Sequence, residues 1–202
     1  MGSDQAGSAA EVTVAAATLA PARVVRISTA ILAATCLRVV FAFGNAATSI
    51  PAALLFAAVL LLIARDQLAH LRLSWQVAAT GITGGAVLLL LPVVGRGWLT
   101  GIAKPNVTLV FWSVCVTAVA VTEELALRGA LFDAVKTRAG ELIAVLYCAV
   151  AFALIHVPLY GWRAAPIDLA AGLWLGSVRL WGGVTAAATA HTLADWGGGW
   201  LV

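Results

Sequence analysis

Seven apolar segments follow one another along this chain, at about residues 27–45, 50–64, 75–94, 107–127, 141–157, 166–178 and 183–200. A membrane-spanning helix needs about 17–25 apolar residues, so several of these segments are short or tilted. Polar or turn-forming clusters separate them: Gly44 with Asn45, Arg65 to Arg72, Gly95 to Pro105, Lys136 to Gly140, Pro158 to Arg163, and Gly182 with Gly183. The chain is 62% hydrophobic and 10% charged, whereas soluble domains carry about 25% charged residues. It has too little polar surface to face water on all sides. The expected fold is all-α, a polytopic transmembrane bundle of about seven spans, six to eight.

Residues 1–22 are rich in Ala, Gly and Ser and lack the basic start of a signal peptide. They read as a flexible N-terminal tail ahead of a single membrane-embedded domain at 23–202. The net charge of +3 comes from basic residues gathered between spans. No basic stripe with interleaved aromatics is present, which argues against a nucleic-acid partner. Counting arginines and lysines by loop places the N-terminus inside, with Arg38 in mid-span. Cys36, Cys115 and Cys148 lie in apolar runs and read as small buried hydrophobes rather than ligands or a disulfide framework. The first half of the chain reads as apolar scaffold, with Gly81, Gly84 and Gly85 as packing points.

The second half carries the ionisable groups: Glu123 with Glu124, then Arg128, His156, and His191 with Asp195. A charged side chain at mid-bilayer costs about 2.5–3.5 kcal/mol on insertion scales, so each needs a partner or a function. Glu124 and Arg128 are four apart and share a helix face. Glu123 points about 100° away from Glu124. One carboxylate is thus braced while the other is free to work. His156 follows Phe152 by four, and Pro158 is expected to end that helix. His191 and Asp195 repeat the four-residue spacing, so Asp195 is expected to orient the imidazole.

Glu123 lies sixteen residues before Ala139, and His156 sixteen after Gly140. If these segments form a helical hairpin, both groups lie about 24 Å from the turn and therefore level. This requires the helix carrying Glu123 to continue through Val135.

These motifs resemble the CAAX protease and bacteriocin-processing family of glutamic-type intramembrane proteases, which includes the Rce1-type prenyl proteases and the Abi proteins. The family pattern of EExxxR, FxxxH and Hxxx(N/D) stands here as Glu123-Glu124 to Arg128, Phe152 to His156, and His191 to Asp195. The match covers about 105–196. The resemblance implies an intramembrane endopeptidase in which Glu123 and His156 activate a water. His191 and residue 195 would stabilise the oxyanion, and Glu124 and Arg128, with Phe152, would brace the site. Asp195 departs from the Asn of the prenyl proteases. An ionised Asp cannot donate a hydrogen bond, so here His191, oriented by Asp195, would be the sole donor.

No cofactor is expected. A zinc ion held by Glu123, His156 and His191 is the other possibility, although HExxH is absent. The alternative from a different functional class is a non-proteolytic scaffold, chaperone or immunity protein. The Ala- and Gly-rich, short-looped chain points to the bacterial cytoplasmic membrane. The expected partners are the lipid bilayer and a peptide or membrane-protein substrate.

Overall fold

The computed structural model describes residues 4–90 and 107–201, with side chains described for 22–90 and 107–197. Among these residues every regular element is helical. Helix α1 spans Asp4–Val40 and α2 spans Ile50–Ala64, followed by a 3-10 helix at Arg65–His70. Helix α3 runs over Trp75–Leu88. Helix α4, Leu109–Glu124, passes through a π-helical stretch at Leu125–Leu131 into α5, Phe132–Tyr160. The last helix, α6, spans Ala165–Leu201.

Local chemistry sets these boundaries. Ser74 and Thr108 cap α3 and α4 by accepting hydrogen bonds from Val77 N and Phe111 N. Pro51 lies in the first turn of α2, where no backbone N–H is needed. Gly140 (φ 85°) and Gly183 (φ 80°) break α5 and α6 into two rods each, in the left-handed conformation that only glycine adopts freely. Lys136 and Glu141 pair across the Gly140 bend at 2.6 Å. Pro158 does not end its helix. It sits within the final turn of α5, which continues to Tyr160 and stops at Gly161 (φ 78°). Helix α1 takes in most of the segment that composition reads as a tail, helped by its run of alanines, the strongest helix formers.

Among the described residues, two continuous helical stretches are long and apolar enough to cross a membrane. They are Ile50–His70, with mean hydropathy 1.9, and Leu109–Tyr160, with mean hydropathy 2.4 and a bend at Gly140. Six to eight separate spans are therefore not established. Helix α3 covers 14 residues, the remainder of segment 75–94 falling partly outside the described residues. In α6, glycines, tryptophans and charged residues dilute the apolar character.

The distribution of polarity is that of a membrane protein. Leu62, Leu142, Val110, Trp162 and Trp181 are exposed, whereas Arg128 is the largest of the fully buried side chains. Lipid accepts an apolar exterior, and the polar groups are left to satisfy one another inside.

Helix α6 is central, packing on α3, α4 and α5. Small residues permit the contact. A Cβ added at Gly172 would lie 2.8 Å from the Cα of Ala149, and one at Gly84 would lie 2.8 Å from Val178. The glycines of α3 are thus packing points against α6. Cys115 and Cys148 are buried as expected, but Cys36 is exposed because it lies off the Ile27, Ile31, Ala34 and Arg38 stripe that α1 buries.

Because backbone, not a flexible side chain, faces Gly172, Gly172→Leu is expected to cost about 1–3 kcal/mol. A lowered thermal midpoint in detergent checks this; an unchanged midpoint contradicts the close packing.

Candidate active site

The helix carrying Glu123 does continue through Val135, but by way of the π-helical stretch Leu125–Leu131. A π turn holds extra residues per turn and leaves ordinary helical hydrogen bonds unmade. In an apolar surrounding the freed carbonyls need other donors. Cys148 Sγ donates to Leu127 O at 3.1 Å, and Arg179 Nε donates to Arg128 O at 2.8 Å. Arg179 is held in turn by Asp133 at 3.3 Å and by the Phe132 ring.

Glu124 and Arg128 form the centre of the site. Arg128 Nη1 donates to Glu124 Oε1 at 2.9 Å, with both side chains fully enclosed. Arg128 Nη2 donates to Gly172 O of α6 at 3.1 Å, and the guanidinium lies 4.6 Å from the Phe152 ring centroid. These contacts draw α4, α5 and α6 onto one cation, with a cation–π contribution from Phe152.

His191 is oriented by Glu124, not by Asp195. Its Nδ1 lies 3.0 Å from Glu124 Oε1. That oxygen already accepts from Arg128, so it is a carboxylate acceptor and the proton belongs to Nδ1. Asp195 Oδ2 stands 3.6 Å from the other ring nitrogen, Nε2, beyond hydrogen-bond range. The i, i+4 spacing brings Asp195 to the imidazole as expected, but Glu124 reaches the orienting nitrogen from a different helix. With Nδ1 committed, Nε2 faces Glu123 Oε2 at 3.9 Å as well as Asp195. The Asp195 side chain is 38% exposed and lies at the open side of the cluster.

Glu123 is 2% exposed. It has ion-pair neighbours at 3.9 Å on two sides, Arg38 Nη1 and His191 Nε2, but no hydrogen-bond partner among the described residues. The two adjacent acids thus differ: Oε1 of Glu124 is engaged by two donors while its Oε2 is buried without a partner, and Glu123 has ion-pair neighbours only.

His156 enters the same cluster by another route. Its Nδ1 lies 2.8 Å from Phe152 O. A carbonyl only accepts, so Nδ1 carries the proton and Nε2 of the neutral ring is left as an acceptor. The ring packs against Phe152 at 4.4 Å and stacks on Tyr160 at 5.7 Å, while Phe152 meets His191 edge-on at 5.3 Å. No hydrogen bond or ion pair joins His156 to Glu123 among the described residues. The expected equal depth assumes uniform helical rise, and the π stretch, with its extra residue per turn, departs from that. Nor do any three His, Cys, Asp or Glu side chains, among the described residues, gather at the spacing a metal ion requires.

Two participants lie outside the sequence motifs. Arg38, 5% exposed on the buried stripe of α1, faces Glu123 and packs over Phe56 at 5.2 Å. The first half of the chain is therefore not merely scaffold. The signal available was an arginine at mid-span, which an apolar segment tolerates only with a partner. Asp168, in the first turn of α6, has a buried Oδ2 without a hydrogen-bond partner. Its position at a helix start resembles ordinary capping chemistry, so spacing alone does not reveal it.

An all-helical bundle with an apolar exterior and a buried constellation of acids, arginines and histidines defines an integral membrane protein with a polar intramembrane site. Residues 105–197 match the family model described as type II CAAX prenyl endopeptidase Rce1-like. No curated protein and no solved structure matches the chain.

Removing one partner of a buried ion pair costs about 3–5 kcal/mol. Arg128→Leu is accordingly expected to abolish monodisperse folded protein in size-exclusion chromatography. Arg128→Leu with Glu124→Leu should recover part of the lost thermal stability, because no charge is then stranded. Equal losses in the single and double variants would contradict the pairing.

Proposed function

We propose that this protein is an intramembrane endopeptidase that hydrolyses a peptide bond by direct attack of water, with Glu123 as general base. One observation carries the reading: of two adjacent buried carboxylates, Glu124 is engaged through Oε1 by Arg128 and His191, whereas Glu123 has no hydrogen-bond partner among the described residues. A water placed against Glu123 would find an acceptor there and a second acceptor at His156 Nε2. As its oxygen bonds to the scissile carbonyl carbon, its proton passes to Glu123. The carbonyl oxygen becomes an oxyanion. The C–N bond then breaks, and the proton on Glu123 moves to the leaving amine, giving a carboxylate and an amine with no covalent enzyme intermediate.

His191 is the oxyanion donor in this scheme. Since Nδ1 donates to Glu124, a donating Nε2 requires the doubly protonated imidazolium. Asp195, beside Nε2, would attract that form rather than set the tautomer. Arg38 neutralises part of the charge on Glu123. A metal is not required by this chemistry; activity insensitive to chelators is expected, and loss restored by zinc would contradict the water-only scheme.

The substrate proposed is a peptide or membrane-protein segment admitted from the bilayer, in a bacterial cytoplasmic membrane. Comparative proteomics of membrane peptides in cells carrying wild type or Glu123→Gln would identify it.

Glu123→Gln is nearly isosteric and is expected to lower turnover by about 10²–10⁴-fold, roughly the contribution of general base catalysis, while the protein still folds. Full activity would remove Glu123 from the base role and favour a scaffold or immunity function. Asp195→Asn is expected to remain folded and active with an altered pH–rate profile, since Glu124 still holds His191. Loss of the fold would contradict that assignment.

A further inference from the structure

Away from the candidate active site, a cavity of about 280 Å³ opens between α1, the 3-10 helix and the π-helical stretch. Arg23 and Arg26, three residues apart on α1, both line it and are both exposed. Residues so spaced lie on one helix face. Ile27 and Ile63 are among the residues that form its apolar wall. Gln67 also lines it, and its side chain is 6% exposed yet has no hydrogen-bond partner among the described residues. As a cavity-lining amide, Gln67 offers an N–H donor to a polar ligand placed there. Two fixed positive charges, an amide N–H donor and an apolar wall suit an oxyanion attached to a hydrocarbon.

We propose that this cavity binds the phosphate headgroup of an anionic phospholipid, with Arg23 and Arg26 pairing the phosphate, Gln67 donating to it, and the acyl chains passing over Ile27 and Ile63. Arginine matches phosphate oxygens in geometry as well as charge. Basic pockets between helices at a membrane edge are suited to such headgroups. Asp66 lines the same cavity and opposes the ligand, but its side chain is 94% exposed and lies 3.8 Å from Arg65. The bound lipid would touch the working helix directly. Ala130 of the π-helical stretch is part of the cavity wall, and a Cβ at Gly129 would lie 2.8 Å from the Gln67 side chain. The site rests on the protein's residence in a membrane and not on its peptidase chemistry.

The test is lipid retention by the purified full chain, read by native mass spectrometry after delipidation and addition of phosphatidylglycerol or phosphatidylcholine with identical acyl chains. Wild type is expected to retain phosphatidylglycerol selectively. Arg23→Gln with Arg26→Gln should weaken that retention by roughly tenfold, whereas Arg23→Lys with Arg26→Lys keeps most of it and Asp66→Asn increases it. The thermal midpoint without lipid serves as the folding control, because both arginines are exposed. Equal retention of the two lipids by wild type would overturn the proposal, as would undiminished phosphatidylglycerol binding by the glutamine variant. Displacement of phosphatidylglycerol by an equal concentration of inorganic phosphate would assign the cavity to soluble phosphate and also overturn it.

Discussion

A single enclosed ion pair, Glu124 with Arg128, organises everything around it. The pair is costly to desolvate, and its attraction alone does not guarantee a net gain in stability. Its value lies in what the remaining hydrogen-bonding capacity reaches. Arg128 extends to Gly172 O on α6 and lies against Phe152 on α5, while Glu124 accepts from His191. Together these contacts fix α5 and α6 relative to α4. Neither donor reaches the neighbouring Glu123, whose carboxylate has no hydrogen-bond partner among the described residues. Structural and chemical roles are thereby divided between adjacent residues on one turn.

The π-helical stretch is the second element of this arrangement. It places an interruption of regular backbone immediately after the two acids, where lipid offers no donors. The chain supplies them from elsewhere: a thiol from Cys148 and a guanidinium from Arg179. Cys148 thus has a role beyond filling space. Gln67 lies against Gly129 in the same stretch, so the cavity at the far end of the bundle and the acids of the site share one distorted helix. Close approach elsewhere depends on absent side chains, above all where Gly172 meets Ala149.

Much of this was legible in the sequence because it is local. Apolar runs, the bends at Gly140 and Gly183, and the Glu124–Arg128 spacing all follow from helical periodicity and glycine's freedom at positive φ. The three motifs also lie within the residues, 105–197, that match the Rce1-like family model. What escaped is tertiary. Arg38 faces Glu123 from a helix far earlier in the chain. Asp168, early in α6, holds a buried carboxylate oxygen without a hydrogen-bond partner, which no spacing rule announces. The i, i+4 rule names Asp195 as the partner of His191 because both lie on α6, but it cannot report that Glu124 arrives from α4 at the other nitrogen. A π turn has no simple periodic signature, so its effect on the relative depth of Glu123 and His156 could not be read from spacing.

The claim on which the site depends is that Glu124 fixes the Nδ1 proton of His191 and so leaves Glu123 as the acid available for chemistry. Nitrogen-15 NMR of the histidine side chains, assigned with a His191→Gln variant, reads that proton directly. The account predicts a protonated Nδ1 at His191 in the wild-type protein, and its loss or redistribution in Glu124→Gln. An unprotonated Nδ1 in the wild type, or a His191 spectrum indifferent to Glu124→Gln, would contradict it.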